Sequence, residues 1–106
     1  MRMWAINPSK LCNKHLLGEH VEMHMFAGTI KKKISIKGYI EKGLVNPQDI
    51  TKRHKELEEE MIKRGMNHKS VLDFDSSNLP NIPVNKRNSQ EELIRRCKEC
   101  RKLMVL

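Results

Sequence analysis

Long apolar runs are missing from this chain of 106 residues. Nothing approaches the ~20 consecutive apolar residues that a membrane-spanning helix requires. The opening Met1-Arg2-Met3-Trp4-Ala5-Ile6-Asn7-Pro8 also lacks the apolar stretch of a secretory signal, so a soluble, intracellular protein is expected. Aromatic residues are scarce, with one Trp, one Tyr and two Phe, and only 38% of the chain is hydrophobic. Such a chain has material for one domain, residues 1–106, around a single modest core. Cysteines number three, Cys12, Cys97 and Cys100, which is too few and too odd for a disulfide framework. They fit a reducing compartment, with the thiols buried or bound to metal. Acids are outnumbered, 13 against 21 Lys and Arg, leaving a formal charge of +8. That field favours an anionic partner, nucleic acid above all, although charge alone does not separate DNA from RNA. An acidic membrane surface fits less well, because the basic residues are spread over several segments.

What is present reads as helix, without internal repeats. Asn7-Pro8 is an N-cap residue followed by proline at the first helical position, where a missing N–H costs nothing; it opens a helix expected over about 8–26, ending near Ala27-Gly28. Asn46-Pro47 repeats the signal for a helix over 47–64, stopped by Gly65, with Ile50, Leu57 and Met61 as its apolar stripe and His54 on the same line. Glu60 and Arg64 form a supporting i,i+4 pair. Ser89-Gln90-Glu91-Glu92 matches a capping box and opens a third helix over 90–104, which puts Leu93, Cys97, Cys100 and Met104 on one face. Between the first two, Ser35 as cap and Gly43 as stop suggest a short helix near 36–42, although Ile34 and Ile36 also suit a strand. Leu79-Pro80-Asn81-Ile82-Pro83 reads as an extended crossing. The fold class is therefore all-α, three main helices with an extended N-terminus.

At 100° per residue, His15, Glu19, Glu22 and Phe26 fall on one line of the first helix. Leu11 and Met25 flank it on one side, Cys12, Leu16 and Met23 on the other. A polar stripe between apolar neighbours is what lifts a carboxylate pKa or holds it in a partly dry pocket for proton transfer. The alternative is a solvated charged face. His20 and His24, one turn apart, offer two metal ligands, but His-Val-Glu-Met-His is not the zincin spacing and no third ligand is indicated.

The chain's beginning is itself chemistry. Methionine removal requires a small second residue, and Arg2 is large, so the terminus is expected to be the α-amine of Met1. An α-amine titrates near about 8 against about 10.4 for lysine, which makes it the better nucleophile toward a sugar carbon. Seven extended residues before Pro8 reach roughly 20 Å, and a helix from Pro8 to Glu22 is also roughly 20 Å long. If the segment doubles back, amine and carboxylate meet; otherwise the terminus is merely frayed.

The segment His15-Leu16-Leu17-Gly18-Glu19-His20-Val21-Glu22 resembles the catalytic helix of the pyrimidine-dimer DNA glycosylases, the endonuclease V class of UV repair, whose pattern is His-Leu, two residues, Glu, two residues, Glu. Met61-Ile62-Lys63-Arg64-Gly65-Met66-Asn67-His68-Lys69 is similar to that family's Lys-Arg-Gly-aromatic-Asn segment, and Arg2 stands where the family has a near-terminal arginine. The resemblance covers about the first 70 residues. It implies an all-helical fold and a DNA glycosylase with AP-lyase activity on UV-dimer or abasic sites in double-stranded DNA. It further implies a Schiff base at the terminal amine and no cofactor. Carried over, Met1 becomes the nucleophile, Glu22 the acid/base group, His15 and Glu19 active-site neighbours, and Arg2 a phosphate contact. Lys31, Lys32, Lys33, Arg64, Lys69, Arg95 and Arg96 become candidates for the DNA-binding face that nucleotide extrusion requires. A monomer is expected, in the nucleoid or in an infected host cell.

The chain departs from that family in three places. The family's mature terminus is usually a small residue, its arginine before the catalytic Glu is Val21 here, and its aromatic-rich C-terminal tail is absent. Cys97-Lys98-Glu99-Cys100 is an addition. With Cys12-Asn13-Lys14-His15 it makes two pairs at i,i+3 spacing, a set that could close a zinc site from Cys12, His15, Cys97 and Cys100 or could simply pack as core thiols. A non-catalytic, basic, helical nucleic-acid-binding module, with or without such a zinc staple, fits the composition equally well.

Overall fold

The computed structural model describes residues 1–67 and 70–104; Lys69 lies outside the described residues. Among them the chain is all-helical, as the patterning requires. It comprises α1 (Asn13–Lys31), α2 (Lys37–Glu41), α3 (Ile50–Lys63), α4 (Lys86–Arg96) and α5 (Lys98–Met104). No helix among them is long and apolar enough to cross a membrane.

Asn46 caps the Gln48 N–H, and a 3-10 turn at Pro47–Asp49 leads straight into α3. Gly65, at φ +75°, ends that helix in the left-handed region that glycine enters without strain. Gly43 ends α2 likewise at φ +69°, and Ser35 accepts the Lys37 N–H at the helix entry. The first and third helices differ from expectation at their starts. Asn7 does cap, but Pro8–Lys10 is only a 3-10 turn that stops at the extended Leu11. Leu11 is fully buried, so the chain must turn inward there before α1 begins. At its other end α1 runs through Gly28 to Lys31, because the residues after Gly28 continue the helix until Lys33 turns at φ +60°. The third helix starts at Lys86 under an Asn85 cap. Ser89 sits inside it, buried, with its hydroxyl accepting from the Arg2 guanidinium rather than capping. That helix is also broken at Cys97, which is extended at φ −129°, ψ 108°.

The core lies between α1 and α3 and takes in Leu93 of α4, with Leu16, Met23, Phe26, Leu57 and Leu93 among its fully buried side chains. Each such side chain contributes roughly 1.5–3 kcal/mol by leaving water. The α1–α3 seam also carries charge. Glu19, 1% exposed, receives Arg53 Nε and Nη2 on its two carboxylate oxygens, the latter at 2.9 Å. Arg53 Nη1 donates to the Ile6 carbonyl at 2.7 Å. One ion pair therefore joins α1, α3 and the N-terminal segment. Arg53 stands three residues after Ile50 and four before Leu57 on the buried face of α3, which is the sequence sign that such a partner had to exist.

Removing the cation alone strands a buried carboxylate. Arg53→Met is expected to lower unfolding stability by about 3–5 kcal/mol, read from urea denaturation. A loss of a few tenths would show that the pair is not a structural tie.

Candidate active site

The N-terminal segment is fixed, not frayed. Met3 and Trp4 are buried, the Met3 N–H donates to the Leu44 carbonyl at 2.6 Å, and Ala5 turns the chain at φ +60°. A left-handed alanine costs on the order of 1 kcal/mol, and the contacts of its neighbours on both sides hold it there. The result is that residues 1–4 run back beside α1. The Arg2 backbone N–H lies 3.4 Å from Glu22 Oε2. Met1, Arg2, Trp4, Lys14, His15, Gly18, Glu19, Glu22, Leu44 and Arg96 line one open cleft of about 580 Å³.

The two acids of the α1 stripe have different environments. Burial pushes the Glu19 carboxyl above the usual carboxylate range, while Arg53 and a Trp4 backbone N–H pull it back. It stays locked against the guanidinium. Glu22, one turn along, is only half-buried and keeps a face on the cleft. Of the apolar neighbours expected beside the stripe, Leu11, Leu16 and Met23 are fully buried, but Met25 is 50% exposed. Gly18 stands four residues before Glu22, and a Cβ built on it would meet nothing within 4 Å. Its missing side chain is part of the cleft's space.

Arginine charge gathers at the other wall. The Arg2 guanidinium lies 3.9 Å from the centre of the Trp4 ring and donates to Ser89 Oγ at 3.0 Å. Arg96 also lies over Trp4, at 5.0 Å. Burial, then the nearby Arg96, lower the Arg2 pKa, opposed by Glu92, Glu19 and Glu22. Arg2 Nε is buried without a hydrogen-bond partner among the described residues. Two guanidinium groups on one indole give this part of the cleft a positive field that favours an anionic oxygen. Trp4, Gly18 and Ser89 were not singled out in the sequence: a lone aromatic, a mid-helix glycine and an apparent cap carry no such signal until the chain is folded.

Other basic candidates are placed elsewhere. Arg64 uses its donors inside the chain, on Glu60, Asn13 Oδ1, and the carbonyls of Pro8 and Leu11, and so ties the end of α3 to the entry of α1. Lys31 bonds the Asp73 carbonyl, nine residues and about 14 Å along the helix from Glu22. Lys32 and Lys33 follow it, exposed. Arg95 is exposed and paired with Glu92.

Two clusters of metal-ligating side chains are also present. Cys12, His15, Cys97 and Cys100 bring one ligand atom each within 4.8 Å of one another, and so do His20, His24 and His54. Packing brings His54 from α3 to the pair on α1, a third ring that the sequence did not indicate. Burial, Arg96 and Lys14 lower the His15 pKa.

Residues 1–73 match the family model described as pyrimidine dimer DNA glycosylase. No curated protein and no solved structure matches the chain. Filling the cleft at Gly18 separates stability from binding there. Gly18→Ala is expected to gain about 0.5–1 kcal/mol in helix stability, seen as a higher unfolding midpoint, while duplex DNA binds more weakly. Tighter binding, or a loss of stability, would remove Gly18 from the cleft's working surface.

Proposed function

The chain belongs to the pyrimidine dimer DNA glycosylase family, and on that premise we propose that it is a DNA glycosylase and AP lyase acting on UV-dimer or abasic sites in double-stranded DNA, with the N-terminal amine as nucleophile and Glu22 as acid/base. The amine attacks C1′ of the deoxyribose. The C1′–N bond to the base breaks with its electron pair, and a bond from C1′ to the terminal nitrogen forms in its place. Loss of one amine proton and opening of the C1′–O4′ bond, with a proton delivered to O4′, give a protonated Schiff base. Glu22 then removes a C2′ proton, and the 3′ phosphate leaves C3′ by β-elimination. Hydrolysis of the imine frees the enzyme.

The observation carrying this reading is the shared cleft, which both Met1 and Glu22 line and where the Arg2 backbone N–H lies 3.4 Å from the Glu22 carboxylate. Proximity of that kind supplies much of the barrier reduction when reactive groups are held rather than recruited. Arg2 and Arg96 on Trp4 are suited to a backbone phosphate beside the target sugar. Glu19 acts as a positioning residue: it holds Arg53, which holds the Ile6 carbonyl and with it the segment that carries the amine. No cofactor enters these steps.

Borohydride reduction on DNA containing an abasic site is expected to trap the chain covalently, and acetylation of the N-terminus to abolish the adduct. An adduct that survives acetylation overturns the nucleophile. Glu22→Gln is expected to lower strand scission by at least about 10²-fold with duplex binding retained; undiminished scission would exclude Glu22. Arg96→Ala is expected to weaken duplex binding and reduce the slope of log affinity against log salt by about one. Binding with no adduct and no scission in the unmodified chain would instead mark a non-catalytic DNA-binding module.

A further inference from the structure

The geometry points to a structural zinc site made by Cys12, His15, Cys97 and Cys100, which fixes the α4–α5 junction to the entry of α1 beside the cleft. This inference does not depend on the reaction proposed above.

The distances are those of a coordination sphere. A tetrahedral zinc with Zn–S about 2.3 Å and Zn–N about 2.0 Å has S···S edges of about 3.8 Å and S···N edges of about 3.5 Å. Cys12 Sγ and Cys97 Sγ are 3.8 Å apart, while His15 Nδ1 lies 3.2 Å from Cys12 Sγ and 3.6 Å from Cys100 Sγ. A disulfide would need its sulfurs at about 2.05 Å; all three cysteines are free.

Local structure at Cys12 and Cys97 fits the cluster. Cys12 is the N-cap of α1 yet makes no side-chain capping bond, so a poor capping residue occupies a position where Ser or Asp would stabilise the helix. Cys97 breaks α4 from α5 in an extended conformation with neither proline nor glycine there. That break lets Cys97 and Cys100 converge. Backbone donors face the sulfurs: the Cys100 N–H lies 3.4 Å from Cys97 Sγ, and the Cys12 N–H 3.3 Å from Cys100 Sγ. Such N–H···S contacts stabilise thiolates and orient them, the usual outer shell of a thiolate metal site.

Three thiolates and a neutral imidazole around a divalent zinc carry one net negative charge, and Lys14 and Arg96 on the adjoining cleft wall offset it. Four ligands suit zinc over hard cations, which prefer oxygen. With Nδ1 on the metal, His15 carries its proton on Nε2, so the site also sets the tautomer of a ring that lines the cleft. Because the ligands lie at opposite ends of the chain, the metal closes a long loop and adds its binding free energy to folding.

The test is metal content of the purified, reduced chain by elemental mass spectrometry. About one zinc per chain is expected. Substitution by Co²⁺ should give the intense visible absorption of a tetrahedral thiolate site, and chelation should lower the unfolding midpoint, reversibly on adding Zn²⁺. Cys97→Ser with Cys100→Ser should lose the metal, and His24→Gln should keep it. A reduced chain that neither contains zinc nor takes up Co²⁺ overturns the inference. So does metal retained by the double variant but lost from His24→Gln, which would place it at His20, His24 and His54, and so does a Cys12–Cys97 disulfide in the native mass. None of these readouts depends on DNA cleavage, so the site stands or falls apart from the enzyme.

Discussion

The Glu19–Arg53 ion pair is the contact on which the arrangement of the cleft depends. A carboxylate buried on α1 is costly unless a cation meets it with good geometry. Arg53 does so from α3 while its Nη1 donates to the Ile6 carbonyl and to Glu56. The bond to Ile6 reaches the N-terminal segment. The left-handed turn at Ala5 and the Met3 bond to Leu44 then direct the first residues back along α1. The polar groups of the core thus serve less to add stability than to specify where the beginning of the chain lies.

This arrangement divides two similar acids. Glu19 and Glu22 share a helix face, yet Glu19 is enclosed and neutralised by a guanidinium, whereas Glu22 keeps a face on a cleft walled by arginines. Arg2 and Arg96 share the Trp4 ring, and burial, then the nearby Arg96, lower the Arg2 pKa. Clustered cations at a cleft favour an anionic ligand through the field they create there. Arg64 shows the contrast: the same residue type, satisfied within the chain, holds the α1 entry in place.

Much of the helical frame was legible in the sequence wherever the cause is local. Pro47 after Asn46, and Gly43 and Gly65 as stops, act through sterics and capping within one turn, so their positions in the sequence and in the fold agree. The starts at Pro8 and Ser89 were misread because longer-range demands outweighed the local signal. Leu11 had to be buried, which ended the first turn early, and Ser89 was needed inside α4 to receive Arg2. The proximity of Cys12 and His15 to Cys97 and Cys100 was suggested by spacing but not decided by it.

The sequence by itself determined the all-helical class, the basic charge, the α1 motif with Glu19 and Glu22 one turn apart, and the i,i+3 spacing of Cys12 with His15 and of Cys97 with Cys100. Each of these follows from composition or from a period of 3.6 residues. Tertiary structure alone decided which acid is buried, that Arg53 is its partner, that His54 joins His20 and His24, and that Met1 lies with Glu22. Those outcomes depend on which helices pack together and on which groups that packing removes from water, and neither is encoded within the span of a single turn.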